Sequence, residues 1–170
     1  MARSDGLAMA TLVFRVLAIG LLAASIALIA TAKIYDPTDR SLAAPPNFTF
    51  QDFYAFEYLL SAGVIGCAYT MLALVFAAVN VSRRRMFRGG EAVFLICADA
   101  VCSVIMATGA AAALGIAVQY QQENRSFLDS PAAATVKKFF DQVDASCALI
   151  LGAALCTVII IGMSAHSVAN

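Results

Sequence analysis

The chain alternates four long apolar stretches with shorter polar segments. Each stretch reaches the roughly 20 apolar residues that an α-helix needs to cross a bilayer. The stretches are apolar on all sides, which argues against amphipathic helices on the surface of a soluble domain. All four prolines lie between the stretches, so each stretch can form an unbroken helix. The pattern predicts an all-α membrane protein, a bundle of four transmembrane helices over residues 8–32, 55–80, 92–118 and 144–166.

The composition supports a membrane protein and offers little chemistry. The chain is 62% hydrophobic and 13% charged, whereas a soluble domain is about 25% charged. Its formal net charge is zero and it has one histidine, so nothing indicates nucleic acid as a partner. It contains no glycine-rich phosphate loop, HExxH or GxSxG motif. We therefore predict a protein without enzymatic activity, cofactor or metal.

The first stretch has an alternative interpretation as a cleaved signal peptide. It is longer than a typical signal-peptide core and contains Arg15. Lys33 and Asp36 follow it in place of a small-residue cleavage site. These features favour a retained membrane span.

The charges of the loops predict the topology. The short loop 81–91 carries a cluster of arginines, which the positive-inside rule places in the cytosol. Both termini are then cytosolic, and loops 33–54 and 119–143 face outside. The same cluster also has the composition of a segment that meets anionic lipid headgroups. Its arginines are Arg83, Arg84, Arg85 and Arg88.

The two outside loops carry further signals. Asn47 and Asn124 begin glycosylation sequons, one in each loop. Residues 48–58 are rich in Phe and Tyr, which predicts an aromatic belt at the membrane edge, with a docking surface for an extracellular partner as the alternative. Residues 131–143 combine two lysines with two phenylalanines, which suits a short helix lying on the membrane.

Two full charges of opposite sign lie well inside the stretches, Arg15 in the first and Asp99 in the third. Both spans run from the cytosol outward, and each residue lies about 10 Å beyond the start of its span. An unpaired charge at the bilayer centre costs roughly 2.5–3.5 kcal/mol or more. Sign and depth together predict an ion pair between parallel helices, facing the interior of the bundle. The alternatives are an Arg15 that reaches the headgroups and an Asp99 that is protonated or serves a proton or cation relay.

Small residues follow Asp99 along the third stretch. At 100° per residue, one line through Asp99 continues along the helix as a predicted packing face; its members are Ser103, Met106, Ala110, Ala113 and Ala117. An adjacent stripe of small residues repeats every four positions, a pattern typical of helices that approach closely in lipid. It predicts a tight bundle with small faces left for other copies. The stripe comprises Ser103, Ala107, Ala111 and Gly115.

All five cysteines fall within the predicted spans. No cysteine lies in an outside loop, so no disulfide is expected there. Their predicted role is that of buried structural thiols.

Three segments resemble the plant Casparian strip membrane domain protein family, particularly its CASP-like members. They are FRVLAIGLLAASIALIATAK in span one, FEYLLSAGVIGCAYTMLAL in span two and FLICADAVCSVIMATGAAAALGIA in span three. The resemblance extends from about residue 10 to residue 165 and includes a distant similarity to the MARVEL tetraspan fold. It implies that Arg15 and Asp99 are signature residues.

The resemblance implies a plasma-membrane scaffold. Members of the family self-associate, form hetero-oligomers with relatives, and in strip-forming cases organise extracellular wall-modifying enzymes. This chain lacks a phrase like ESLPFFTQF in its first outside loop and lacks cysteines in its second, so a general CASP-like role fits better than strip formation. The alternative function is a small transporter or channel that uses Asp99. A claudin-like adhesion protein is disfavoured because the chain has no Trp.

Overall fold

The computed structural model describes residues 2–32, 54–82, 89–123 and 134–169. These residues form four α-helices and no strand. All four are long and apolar enough to cross a membrane, which confirms the predicted all-α, four-span fold class. The helices are α1 (Ala2–Thr31), α2 (Tyr54–Ser82), α3 (Gly89–Glu123) and α4 (Ala134–Ala169).

The last two helices are longer than the predicted spans. α3 continues to Glu123, and α4 already begins at Ala134. Residues 134–143 are therefore the first turns of α4, and the separate surface helix predicted from this segment does not form there. The reason is packing, because Phe139 and Phe140 are only 2% and 3% exposed and no proline or glycine interrupts the helix between Ala134 and the span.

The helices form a four-cornered bundle. α2 packs on α1 and α3, and α4 packs on α3 and α1, so that α1 and α3 occupy opposite corners. Neighbouring helices are antiparallel: Gly63 faces Ile26, and one turn later in α2 Gly66 faces Leu22, one turn earlier in α1. The beginning of α1 and the end of α4 consequently share one end of the bundle, called here the termini end. The opposite end is the far end.

Glycines allow α2 and α3 to pack closely at two positions. A Cβ atom on Gly109 would lie 2.9 Å from the Cβ of Ala62, and one on Gly66 would lie 2.8 Å from the Sδ of Met106. Both distances are below van der Waals contact, so any larger side chain at either position must displace its neighbour. Glycine thereby fixes how far α3 approaches α2.

The interior follows the line expected along α3. Every member of that line is buried, from Asp99 and Ser103 through Met106 to Ala117. At the far end, phenyl rings fill the space: Phe56 meets Phe139 edge-on at 6.0 Å, and Tyr120 stacks on Phe140 at 4.8 Å. The interior is therefore narrow and small-residue-rich along α3 and aromatic at its far end.

A buried ionic network as the candidate functional site

Arg15 points into the bundle. Arg15 is only 2% exposed, whereas its neighbours Val13, Val16 and Leu17 are at least half exposed. The buried positions of α1 recur every three or four residues, which is the spacing of one helix face; they are Arg15, Ala18, Leu22, Ser25 and Ile29. The helical period thus aims the guanidinium group at the interior and leaves the neighbouring valines and leucine to lipid.

Arg15 and Asp99 form a two-pronged ion pair across the diagonal of the bundle. Nη2 of Arg15 donates to Oδ2 of Asp99 at 2.7 Å, and Nη1 donates to Oδ1 at 3.2 Å. Both side chains are almost fully buried. Because taking two charges out of water is costly, such a pair is stable only when its geometry is good and its remaining polar atoms are satisfied.

A tyrosine from α2 completes the network. The hydroxyl of Tyr69 donates to Oδ1 of Asp99 at 2.8 Å, and it lies 3.5 Å from the carbonyl oxygen of Leu95. Both carboxylate oxygens therefore accept hydrogen bonds, and α1, α2 and α3 meet at one carboxylate. Tyr69 is not among the residues predicted from the sequence; the available signal was its position in an antiparallel span near the depth of Asp99.

A second polar contact joins α1 to α4. The hydroxyl oxygens of Ser25 and Ser146 are 2.6 Å apart, and each also lies within hydrogen-bonding distance of the other residue's carbonyl oxygen, at 3.0 and 3.2 Å. Both serines are buried. This reciprocal serine contact was also missed, because a single serine in a membrane span carries little information.

Comparison with known proteins decides the family. The model of the Casparian strip membrane protein domain matches residues 4–156, nearly the whole chain and both members of the ion pair. The chain belongs to the Casparian strip membrane protein family. A CASP-like protein 4D1 from Sorghum bicolor is 36% identical over an alignment of 181 positions, which covers 95% of this chain and 91% of the relative. No solved structure is significantly similar.

Other plant members of the family are also similar. A CASP-like protein 4D1 from Glycine max is 30% identical, with 92% of this chain and 85% of the relative aligned. A CASP-like protein 4D2 from Arabidopsis thaliana is 29% identical over 73% and 71% of the two chains. The family membership predicted from the three sequence segments is thereby confirmed.

In this protein, the stripe of small residues on α3 is buried near the termini end and becomes exposed towards the far end. Ser103 is buried, Ala107 is half-buried, and Ala111 and Gly115 are exposed. A Cβ atom on Gly115 would meet nothing within 4 Å. Within one chain, the packing face of α3 is therefore the line through Asp99. The stripe contributes to this packing only at Ser103 and Ala107, its members nearest the termini end.

The remaining predicted sites divide into two groups. The five cysteines are free, with Cys102, Cys147 and Cys156 buried as expected and Cys67 half-buried. Cys97 is exposed, which corrects its prediction as a buried thiol: it lies two positions from Asp99 and faces away from the interior. The sequons and the basic loop lie outside the described residues; they are Asn47, Asn124, Arg83, Arg84, Arg85 and Arg88.

Proposed function

We propose that this protein is a non-enzymatic scaffold of the plasma membrane, which self-associates and assembles with related family members into a membrane domain beside the cell wall. The observation that carries the proposal is the outward turn of the small stripe, together with membership in the family. Ala111 and Gly115 present an exposed, nearly flat helix surface. In lipid, such surfaces allow the backbones of two helices to approach closely.

The ionic network contributes rigidity to this function. It links α1, α2 and α3 near the termini end. The exposed part of the α3 stripe, Ala111 and Gly115, is therefore held in a fixed orientation. A fixed surface loses less conformational entropy when it binds than a mobile one does. We accordingly assign lateral assembly to α3 and structural support to Arg15, Asp99 and Tyr69. Extracellular wall-modifying enzymes are the proposed partners of the outer segments.

A transporter that uses Asp99 is the alternative function. Its support is the presence of a buried acid within a membrane span, which is a frequent mark of ion pathways. Against it, Oδ1 and Oδ2 of Asp99 already accept hydrogen bonds from Arg15 and Tyr69. Purified protein in liposomes separates the two functions: proton or cation flux above that of empty vesicles, abolished by Asp99→Asn, would replace the scaffold proposal.

The stripe is tested with bulky substitutions that leave the bundle intact. Ala111→Leu and Gly115→Leu place bulky side chains at exposed positions, and a Cβ atom at position 115 meets nothing within 4 Å. Fluorescently tagged variants are compared with the unaltered chain in plant plasma membranes by single-molecule photobleaching, which counts subunits. We expect self-association about tenfold weaker, which corresponds to losing about 1.4 kcal/mol of packing.

Gly162→Leu on α4 is the matched control, because a Cβ atom there also meets nothing within 4 Å. The control is expected to leave subunit number unchanged. Wild-type subunit numbers for Ala111→Leu and Gly115→Leu, with the control equally unaffected, would contradict assembly through this stripe. A chain that is monomeric throughout, or absent from the plasma membrane, would contradict the scaffold function itself.

A further inference from the structure

Tyr69 lies at one end of the ion pair rather than at its middle. Its hydroxyl is 2.8 Å from Oδ1 of Asp99 and 3.5 Å from the carbonyl oxygen of Leu95. Leu95 precedes Asp99 by one helical turn, so both oxygens belong to the surface of α3. The phenol therefore occupies space next to the short acidic side chain, and its hydroxyl bonds to the aspartate side of the pair.

This placement determines which helix carries the arginine of the pair and which carries the aspartate. A diagonal pair of one arginine and one aspartate has the same combined length whichever helix carries the arginine. Tyr69 breaks that equivalence, because an arginine at position 99 needs the volume that the phenol fills. An arginine at position 99 also removes the carboxylate that now accepts the hydrogen bond of the Tyr69 hydroxyl.

We propose that Tyr69 is a specificity-determining residue of the network, which makes arginine on α1 and aspartate on α3 the required order. It does so by donating to the carboxylate and by excluding a longer side chain from the α3 side. The network thus specifies which of the two parallel helices, α1 or α3, carries the arginine. The depth and the charge of the two residues alone do not specify this. The inference concerns the folding of one chain and holds whether or not the protein acts as a scaffold.

The first test separates the hydroxyl from the ring. Tyr69→Phe keeps the ring and removes the O–H donor. Unfolding by a denaturing detergent is followed on the full-length chain in bicelles, for Tyr69→Phe alone and in the Arg15→Met/Asp99→Leu background, which has no carboxylate. We expect the folded-to-unfolded ratio to fall about three- to twentyfold in the first case and to stay unchanged in the second. Equal losses in both backgrounds would overturn the proposal, because the hydroxyl would then act independently of Asp99.

The second test reverses the pair. Arg15→Asp/Asp99→Arg is expressed with Tyr69 present, with Tyr69→Ala, and with Tyr58→Ala as the matched control, since Tyr58 is another α2 tyrosine whose hydroxyl meets α3, at Thr108. We expect the reversed chain to fold poorly with Tyr69 present and to gain at least about tenfold in folded-to-unfolded ratio with Tyr69→Ala alone. Wild-type stability of the reversed chain with Tyr69 present, or an equal or absent gain from both alanine variants, would overturn the proposal.

Discussion

In the half of the bundle near the termini end, three helices meet at one buried carboxylate. In the far half, the helices meet through phenyl rings, small residues and a pair of serines. The first arrangement depends on a few charge-assisted hydrogen bonds, each of which is costly to leave unmatched. The second depends on many weak contacts, each of which is individually small. The two halves should therefore respond differently to substitution: the charged half through unmatched partners, the far half through lost or blocked volume.

The largest effect is expected from breaking the ion pair on one side. Asp99→Ala leaves the guanidinium of Arg15 and the hydroxyl of Tyr69 without the carboxylate that accepts from both. Removing one partner of a buried pair costs about 3–5 kcal/mol, so most of the variant protein molecules should fail to fold. Detergent-induced unfolding of the purified protein, followed by far-ultraviolet circular dichroism, measures the loss.

The control removes both charges together. Arg15→Met/Asp99→Leu replaces the pair by apolar groups and leaves neither of its two charges unmatched, so it should recover most of the stability lost in Asp99→Ala. If the double variant is as unstable as the single one, the cost does not arise from an unmatched charge, and the contrast between the two halves fails.

The far half should respond to a cavity. Phe139 is 2% exposed and contacts the rings of both Phe56 and Phe140, so Phe139→Ala removes packing contacts on two sides. We expect a loss of about 3 kcal/mol. The same unfolding measurement serves here, with Tyr54→Ala as the control because Tyr54 is 89% exposed. A loss for Phe139→Ala no greater than that for Tyr54→Ala would show that the aromatic cluster contributes nothing to folding.

The sequence predicts the charged half better than the far half. Arg15 and Asp99 are rare residues in apolar spans, so their sign and depth alone suggested a partner. Tyr69 was not predictable in the same way, because tyrosine is common in membrane proteins and its contact with Asp99 requires the antiparallel register of α2 on α3. That register depends on tight contacts such as the one between Gly66 and Met106.

The sequence predicted that the line through Asp99 faces the interior, but it did not show how much of the adjacent stripe through Gly115 packs inside the bundle. Both contain small residues, and periodicity identifies each as a helix face without giving the extent of its burial. The bundle buries the line through Asp99 because Asp99 must reach Arg15. The start of α4 was missed for a related reason: lysines beside Phe139 and Phe140 resemble an interfacial segment until the aromatic partners of those rings are known.

The seam between α2 and α3 connects the two halves and should respond to added volume. Gly109→Ala places a Cβ atom 2.9 Å from that of Ala62, which no side-chain rotation relieves. Overpacking of this kind costs about 1–3 kcal/mol. Gly162→Ala is the control, since nothing lies within 4 Å and alanine favours the helix by up to about 1 kcal/mol. If both variants are stabilised, the two helices are not in close contact at Gly109.

The smallest effect is expected at the serine contact between α1 and α4. Ser25 and Ser146 bond to each other, so Ser25→Ala and Ser146→Ala remove much the same interaction, and the double variant should cost little more than either single one. Hydrogen bonds between membrane helices contribute about 0.6 kcal/mol on average, because serines in the separated helices also find partners within their own backbones. A double-mutant cycle on detergent-induced unfolding measures the coupling. Coupling above about 1.7 kcal/mol would mean that the far half, too, depends on a few strong polar contacts, whereas strictly additive losses would mean that the two hydroxyls act separately and that packing alone holds α4 to α1.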